Sequence, residues 1–587
     1  MRGEDPAQRQ RRDGAGGGDP AEAGAAAAAD GGVAGGPPGR QPPARPARRR
    51  RRHGPRAGSG HRPARRGGLL MALARSLAVG LVGLDGHLVE VEADISTGLP
   101  AFVLVGLPDA SLHEAKDRVR AAAANSGFPL PQQRITVNLS PATLPKNGSG
   151  FDLAVAVAVL TAAGVLPPEA SAEAVHLGEL GLDGSVRAVD GVLPAVLAAA
   201  RAGVRRVVVP EASAEEAALV PGVSVRAVRW LAQLVADYRG DPPLELPDPP
   251  RTFTPPQPRR PGAVRDLADV VGQPEARFAL EVAAAGAHHL LMNGPPGAGK
   301  TMLAARLPGL LPDLDEEAAL EVTAVHSVAG TLRGRAGTAL ITRPPYEDPH
   351  HTASVASVVG GGSGVPRPGA ASRAHRGVLF LDEAPEFEAR VLDALRQPLE
   401  QGELVLHRAR GTARYPARFQ LVLAANPCPC GRSTGKGLDC TCSSQARRRY
   451  AAKLSGPLLD RVDVQLQVQA VTRAEVAEGG AGETSAVVAA RVAAARAVQE
   501  ERLRRHGIRT NGDLRGPVLR GPLRLPPAVT TDLDRALDRG VLTLRGVDRV
   551  LRVAWTVADL RGADAPGRDD VGRALALRGT PAAGAAA

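Results

Sequence analysis

The chain has 587 residues, a formal net charge of +12, four cysteines and fourteen aromatic residues. Its length admits several domains. No uninterrupted apolar stretch reaches the roughly eighteen residues a membrane-spanning helix needs, and so few rings leave little material for the stacking platforms of single-strand nucleic-acid binders. Most of the charge belongs to the first 70 residues, where fifteen arginines face six acids, so the rest is near neutral and offers no basic stripe to a phosphate backbone.

In chain order, residues 1–70 are Gly, Ala, Pro and Arg with almost no large apolar side chains. Such a segment cannot bury enough surface to offset chain entropy and is expected to be disordered. Its run Arg48 to Arg52 is a candidate for nonspecific nucleic-acid contact. Leu69 to Leu84 follows Arg65-Arg66 in the outline of a secretion signal, but Arg75 interrupts it and no small-residue cleavage site follows. The sequence passes instead into the strand alternation His87-Leu88-Val89-Glu90-Val91-Glu92, and a soluble, cytoplasmic protein is expected. Residues 71–240 alternate strand and helix patterns as a domain of ordinary size. From Asp241 to Pro261 at least eight prolines and no periodicity predict a semi-extended tether.

The densest signal is Gly294-Pro295-Pro296-Gly297-Ala298-Gly299-Lys300-Thr301. The apolar run His289-Leu290-Leu291-Met292 precedes it as a buried strand, and a helix start follows. In that setting the glycines let backbone N–H groups wrap phosphates, Lys300 neutralises β/γ charge and Thr301 offers a hydroxyl to Mg²⁺. ATP and Mg²⁺ are the cofactors expected. Val378-Leu379-Phe380-Leu381 then delivers Asp382 and Glu383 to the carboxyl edge of a sheet. Asp382 is expected to hold Mg²⁺ and Glu383 to polarise the attacking water. A third strand, Phe419 to Ala425, ends at Asn426, an amide suited to orienting water or γ-phosphate. Arg461, in Ser455-Gly456-Pro457-Leu458-Leu459-Asp460-Arg461, is placed to reach a neighbouring subunit's γ-phosphate, which makes hydrolysis depend on assembly.

These motifs, with Ala374-His375-Arg376-Gly377 ahead of the acidic strand, Leu395-Arg396-Gln397-Pro398-Leu399-Glu400 and Asn426-Pro427-Cys428-Pro429-Cys430-Gly431, together resemble the YifB/ComM family of magnesium-chelatase-like AAA+ ATPases, over roughly Met71 to Arg578. The resemblance implies an α/β P-loop AAA+ core over 263–471, a helical lid over 472–587 that closes over nucleotide, and a homo-oligomer, a ring of six. Val270-Val271-Gly272-Gln273 looks like the family's adenine-side box, with Gln273 as its candidate contact. Arg549 and Arg552 are the candidates for a lid arginine touching the γ-phosphate, Arg552 preferred, while Trp555 stands where the family commonly has arginine. Met71-Ala72-Leu73 resembles the family's usual start, so residues 1–70 read as upstream sequence from a misassigned start rather than as a nucleic-acid arm. One departure is Arg343 to Thr352, where Glu347 and Asp348 replace a basic or small pair. If that loop faces a central channel, the added charge weakens contact with a phosphate backbone. The adjacent pair His350 and His351 points apart on a strand or loop and is not expected to bind metal.

All four cysteines fall between Cys428 and Cys442, as Cys428-x-Cys430 and Cys440-x-Cys442. Four thiolates so arranged can wrap a tetrahedral Zn²⁺, although the one-residue spacing is tighter than in zinc ribbons. Reduced free thiols and disulfides are the alternatives, the last disfavoured in a reducing cytoplasm. Leu144 to Leu153 and Gly178 to Gly184 resemble the proteolytic domain of Lon-type proteases, whose serine nucleophile is activated by a lysine. The nucleophile's place falls on Gly150, Ser149 stands one position early, and Asp190 to Ala195 holds no lysine, so this domain over 71–240 is expected not to cleave peptides. By resemblance to ComM-like members the leading expectation is an ATP-driven, helicase-like ring that remodels DNA. A metal-insertion motor and an ATP-dependent protein remodeller are the alternatives.

Overall fold

The computed structural model describes residues 73–146, 148–248, 265–333, 339–362, 366–408, 411–433, 439–473, 475 and 482–579. The expected tail over 1–70 and most of the proline-rich linker lie outside these residues.

The strand signalled by His87 to Glu92 is part of Asp85–Ser96, whose side chains alternate between core and surface. It pairs antiparallel with Ala74–Val82 across a tight turn, and Gly83 takes a φ of +70° there, a conformation that favours glycine. Five further strands complete a seven-stranded mixed sheet in the order Ala101–Val105, Arg134–Ser140, Asp85–Ser96, Ala74–Val82, Ala174–His176, Arg206–Pro210, Ser224–Val228. Helix Asp152–Ala162 packs on strands Ala74–Val82 and Asp85–Ser96. The helix is apolar nearly all round and buried along its length, as such a sequence requires. Its buried first residue, Asp152, receives a bidentate pair from Arg118, Nε at 2.6 Å and Nη2 at 3.0 Å.

The second sheet has five parallel strands in the order Tyr346–Glu347, Val378–Leu381, Gln420–Ala425, Leu290–Asn293, Val464–Gln467. Every residue of Val378–Leu381 and Gln420–Ala425 is buried, because helices cover both faces of a parallel sheet and continuous apolar runs suit that position. The register sets Asn293 beside Ala425 and Leu381 beside Leu423. The segments that follow Asn293, Leu381 and Ala425 therefore emerge together at the carboxyl edge, where open α/β sheets bind ligands.

The two sheets are not merely tethered. Helix Glu316–Val328 presents Leu320 and Ala324 to the cluster of Val192, Leu193 and Val196 in the first sheet's layer. The Gly191 N–H donates to Ser327 O at 3.2 Å, and Asp190 takes ion pairs from Arg333 at 2.5 Å and Arg367 at 3.3 Å. The start of the expected tether is likewise docked: Trp230 Nε1 donates to Pro247 O at 2.8 Å and Arg229 reaches Asp248 at 2.6 Å. An indole N–H seeks an acceptor, and the proline-rich chain, whose carbonyls are not used in a helix or sheet, offers one.

The carboxyl-terminal part is helical, with Ser485–Leu503, Pro527–Asp538, Leu544–Leu560 and Arg568–Ala576 as its main elements. Among the described residues no helix is long and apolar enough to cross a membrane.

Candidate nucleotide site at the carboxyl edge of the parallel sheet

The expected phosphate loop connects strand Leu290–Asn293 to helix Lys300–Ala304. Gly297 and Gly299 adopt φ of +80° and +86°. Gly294 is needed for a different reason: a Cβ there would lie 2.2 Å from Val468 O, so the loop passes flush against the neighbouring strand's extension.

Lys300 is buried. Its Nζ donates to Gly294 O at 2.6 Å, Pro295 O at 2.9 Å and Asn426 Oδ1 at 3.0 Å. Burial pushes its pKa down, while the carboxylates of Asp382 and Glu383 act in the opposite sense. Thr301 Oγ1 donates to Asp382 Oδ2 at 2.6 Å. The structure therefore brings Lys300, Thr301, Asp382 and Asn426 together from three separate strand ends. A hydroxyl and a carboxylate oxygen in contact, beside a loop of backbone N–H groups, form a donor set that suits a hard divalent cation carrying phosphate.

Glu383 has a φ of +50° and Gln273 one of +52°. Left-handed backbone at non-glycine residues costs energy and clusters at functional sites. Gln273 Nε2 donates to Ala298 O at 2.7 Å and Gln469 O at 3.0 Å. Its Oε1 is buried without a hydrogen-bond partner among the described residues. That orphaned acceptor, pinned against the phosphate loop, is a fit for a ligand amino group.

In the departure loop Arg343 to Thr352 the two acids part ways, Glu347 being partly buried and Asp348 exposed. Glu347 is bound by Arg373 through Nε at 3.1 Å and Nη2 at 2.7 Å, and Tyr346 stacks on Phe380 with ring centroids 6.2 Å apart. Of the two acids that looked repulsive to a phosphate backbone, Glu347 is one half of an internal ion pair. Beyond it, His351 Nδ1 lies 3.2 Å from Glu383 Oε2. His351 is a functional candidate that sequence reasoning weighed only as a metal ligand; its distance from Glu383 in sequence left no signal of the contact.

The arginines lie elsewhere. Arg461 is held by the Glu400 carboxylate and the Pro457 carbonyl. Arg549 Nη1 donates to Asp463 Oδ1 at 2.7 Å and to Arg461 O at 3.3 Å, and Arg552 Nη1 lies 3.9 Å from Asp463 Oδ1. Asp463 precedes strand Val464–Gln467, so this group sits at the amino edge of the sheet. A strand of four residues separates it from the phosphate loop, about 13 Å at ~3.3 Å per residue. Arg552 thus stands about a strand's length from the phosphate loop of its own chain, where helix Leu544–Leu560 meets the sheet with Thr556 Oγ1 2.8 Å from His288 Nε2. The physical reason is Asp463. Burial alone would push that carboxyl up, but the His288 hydrogen bond and the Arg549 and Arg552 charges outweigh it and hold it well below the usual range. A buried carboxylate requires such partners.

The four cysteines converge: their sulfur atoms all lie within 4.8 Å of one another, in the loop that starts two residues after Asn426. In the first sheet's domain, Ser149 Oγ donates to Glu179 and Lys146 Nζ donates to the Pro141 carbonyl, so neither serves the other as a base.

With this geometry established, similarity to known proteins is informative. Family models match three stretches: "Magnesium chelatase, subunit ChlI" over residues 266–476, "Subunit ChlI of Mg-chelatase" over 91–213, and the subunit's C-terminal model over 482–578. An uncharacterised protein of Mycobacterium tuberculosis is 56% identical over 512 residues, 87% of this chain and 100% of its own. The competence protein ComM of Haemophilus influenzae is 40% identical over 500 residues, 84% of this chain and 94% of its own. The uncharacterised protein YifB of Escherichia coli is 43% identical over 387 residues, 66% of this chain and 74% of its own. The parallel sheet, its edge site and these matches over most of the chain place it in one family: the chain belongs to the YifB/ComM family of magnesium-chelatase-like AAA+ proteins.

Proposed function

We propose that this protein hydrolyses ATP with Mg²⁺ and uses the energy to remodel DNA. The observation that carries the ATPase reading is the meeting of Lys300, Thr301, Asp382 and Asn426 at one sheet edge. Lys300 and the loop Gly294 to Thr301 hold the triphosphate, Thr301 and Asp382 hold the cation, and Gln273 faces the base. The bound cation supplies charge neutralisation at the phosphates. Glu383 accepts the proton of the attacking water and Asn426 orients it. His351, in contact with Glu383, tunes how that carboxylate is aimed.

The arginine group at the amino edge supports a ring. Arg461, Arg549 and Arg552 lie together and away from their own phosphate loop, so they act on nucleotide only across a subunit interface. A homohexamer in the cytoplasm is the assembly we infer. DNA as the substrate rests on the relationship to a competence protein. A metal-insertion motor is the second reading, favoured by the magnesium-chelatase family models. The domain over 71–240 is read as a Lon-like module without protease activity, because Ser149 is engaged by an acid and Lys146 by a backbone carbonyl.

The test is ATP turnover by the purified protein beside Lys300→Ala and Glu383→Gln, without DNA, with single strands and with a four-way junction. Several-fold stimulation by DNA, lost in both variants, is expected. Turnover that depends on Lys300 but ignores DNA refutes the DNA reading and leaves the ATPase standing.

A further inference from the structure

The nucleotide reading assigns no task to the cysteines, yet they are the tightest cluster of metal-ligating groups among the described residues. Cys428 Sγ lies 3.3 Å from Cys430 Sγ and 3.7 Å from Cys440 Sγ, and Cys430 and Cys440 sulfurs are 3.8 Å apart. All four are free thiols. Four sulfurs at the corners of a tetrahedron with metal–sulfur bonds of about 2.3 Å stand about 3.8 Å apart. The cluster has that size, with no side chain rearranged to obtain it.

Backbone donors face two of the sulfurs. Backbone N–H groups of Ser433 and Arg432 face Cys428, and those of Arg432 and Thr441 face Cys430. Such donors orient and stabilise sulfur ligands from outside the metal sphere. Cys428 is buried and the other three are partly exposed, so an ion has a route in.

The position of the cluster gives it a task. Asn426, whose side chain accepts the bond from Lys300, leads directly into Cys428. Gly431, between the two cysteine pairs, has a φ of +74° and would place a Cβ 2.5 Å from Pro296 Cδ, so the loop packs flush on the phosphate loop. Cys442 leads into helix Ser444–Ala452, whose N-cap Ser443 hydroxyl accepts from the Ala446 N–H at 3.2 Å. The buried Tyr450 of that helix meets the Asn426 backbone N–H.

We propose that Cys428, Cys430, Cys440 and Cys442 bind one zinc ion as four thiolates, and that this knot clamps Asn426 and Pro296 in the arrangement nucleotide requires. Binding displaces the thiol protons and involves no change of oxidation state. The ion does no chemistry on substrate; it replaces the apolar packing that a short, polar, glycine-containing loop cannot supply.

The test begins with the unaltered full-length chain purified under reducing conditions. Elemental analysis should find one zinc per chain, four thiols should react with Ellman's reagent only after a chelator under denaturing conditions has removed the ion, and in a separate sample a mercurial, which takes the sulfurs itself, should release one zinc per chain to a colorimetric indicator. Cobalt exchanged into the site should give the visible bands of tetrahedral tetrathiolate coordination. Cys442→Ser, at a partly exposed ligand, should lose most of the zinc. Iron in place of zinc, freely reactive thiols without metal, or two disulfides would each overturn the assignment, and none of these readings needs a variant to fold. The clamping role rests on the nucleotide reading and is tested separately: zinc-stripped protein should bind a fluorescent ATP analogue about tenfold more weakly or worse. Equal affinity with and without zinc sinks the clamp but not the metal site. Failure of even the zinc-loaded protein to bind the analogue counts against the nucleotide reading alone.

Discussion

Replacing Gly431 by alanine probes the contact between the cysteine loop and the phosphate loop. Two costs are separable. An alanine at φ +74° carries the left-handed penalty of about 1–2 kcal/mol. The new methyl would also stand 2.5 Å from Pro296 Cδ and 2.6 Å from Cγ, about 1 Å or more inside the ~3.5–4.0 Å of carbon–carbon contact. A proline ring has no rotamer by which to retreat, so one loop must shift as a body, at an overpacking cost of about 1–3 kcal/mol. The total is about 2–5 kcal/mol against folding, with the phosphate loop displaced. Gly203→Ala is the control, because Gly203 has φ +87° with nothing within 4 Å of its added Cβ. Urea denaturation and titration with a fluorescent ATP analogue should show Gly203→Ala losing about 1 kcal/mol with unchanged affinity, and Gly431→Ala losing more, with affinity down about tenfold. If Gly431→Ala binds nucleotide as the unaltered chain does, the two loops are not mechanically coupled and the reasoning fails.

Lys300→Ala removes a cation whose attraction to one phosphate charge at 4 Å is about 4 kcal/mol at an effective dielectric of ~20. Turnover should fall about a thousandfold, and a loss under tenfold in a steady-state ATPase assay would argue against the site. Asp463→Asn leaves His288, Arg549 and Arg552 around a neutral amide and should cost about 3–5 kcal/mol; chemical denaturation showing less than 1 kcal/mol would mean the carboxylate is not the organiser of that edge. His176 is fully buried and His289 partly so, and desolvation pushes each pKa down to about 4. The unfolded value is about 6.5, so the unfolded chain binds more protons below it. Stability is then full above pH 6.5 and falls toward pH 4, by about 2 kcal/mol per histidine at pH 5. His176→Gln should remove its share of that slope, and an unfolding free energy that is flat between pH 7.5 and 5 would contradict the burial argument.

How far the sequence carries the argument depends on range. Strand Val378–Leu381 was legible because four consecutive apolar residues suit only a strand covered on both faces, and Gly294 to Thr301 because its glycines and lysine are spaced for one kind of loop. Both are local patterns. The partnership of Glu347 with Arg373 is not local: they lie 26 positions apart, and an acid's neighbours decide whether it repels a ligand or closes an ion pair. His351 beside Glu383 was hidden for the same reason.

The arginines make the point most sharply. Arg552 has the helical spacing of a lid residue, and nothing in helix Leu544–Leu560 itself says which edge of the sheet it will meet. That is settled by Asp463, one buried carboxylate at the amino end of strand Val464–Gln467. It requires cationic and hydrogen-bonding partners, and draws in Arg549, Arg552 and His288. An electrostatic demand of the core thus decides where the helix docks, and with it whether the lid arginines serve their own nucleotide or a neighbour's. If Asp463 is the organiser, the proposed hydrolysis requires the proposed ring, because this chain holds its arginines about a strand's length from its own phosphate loop.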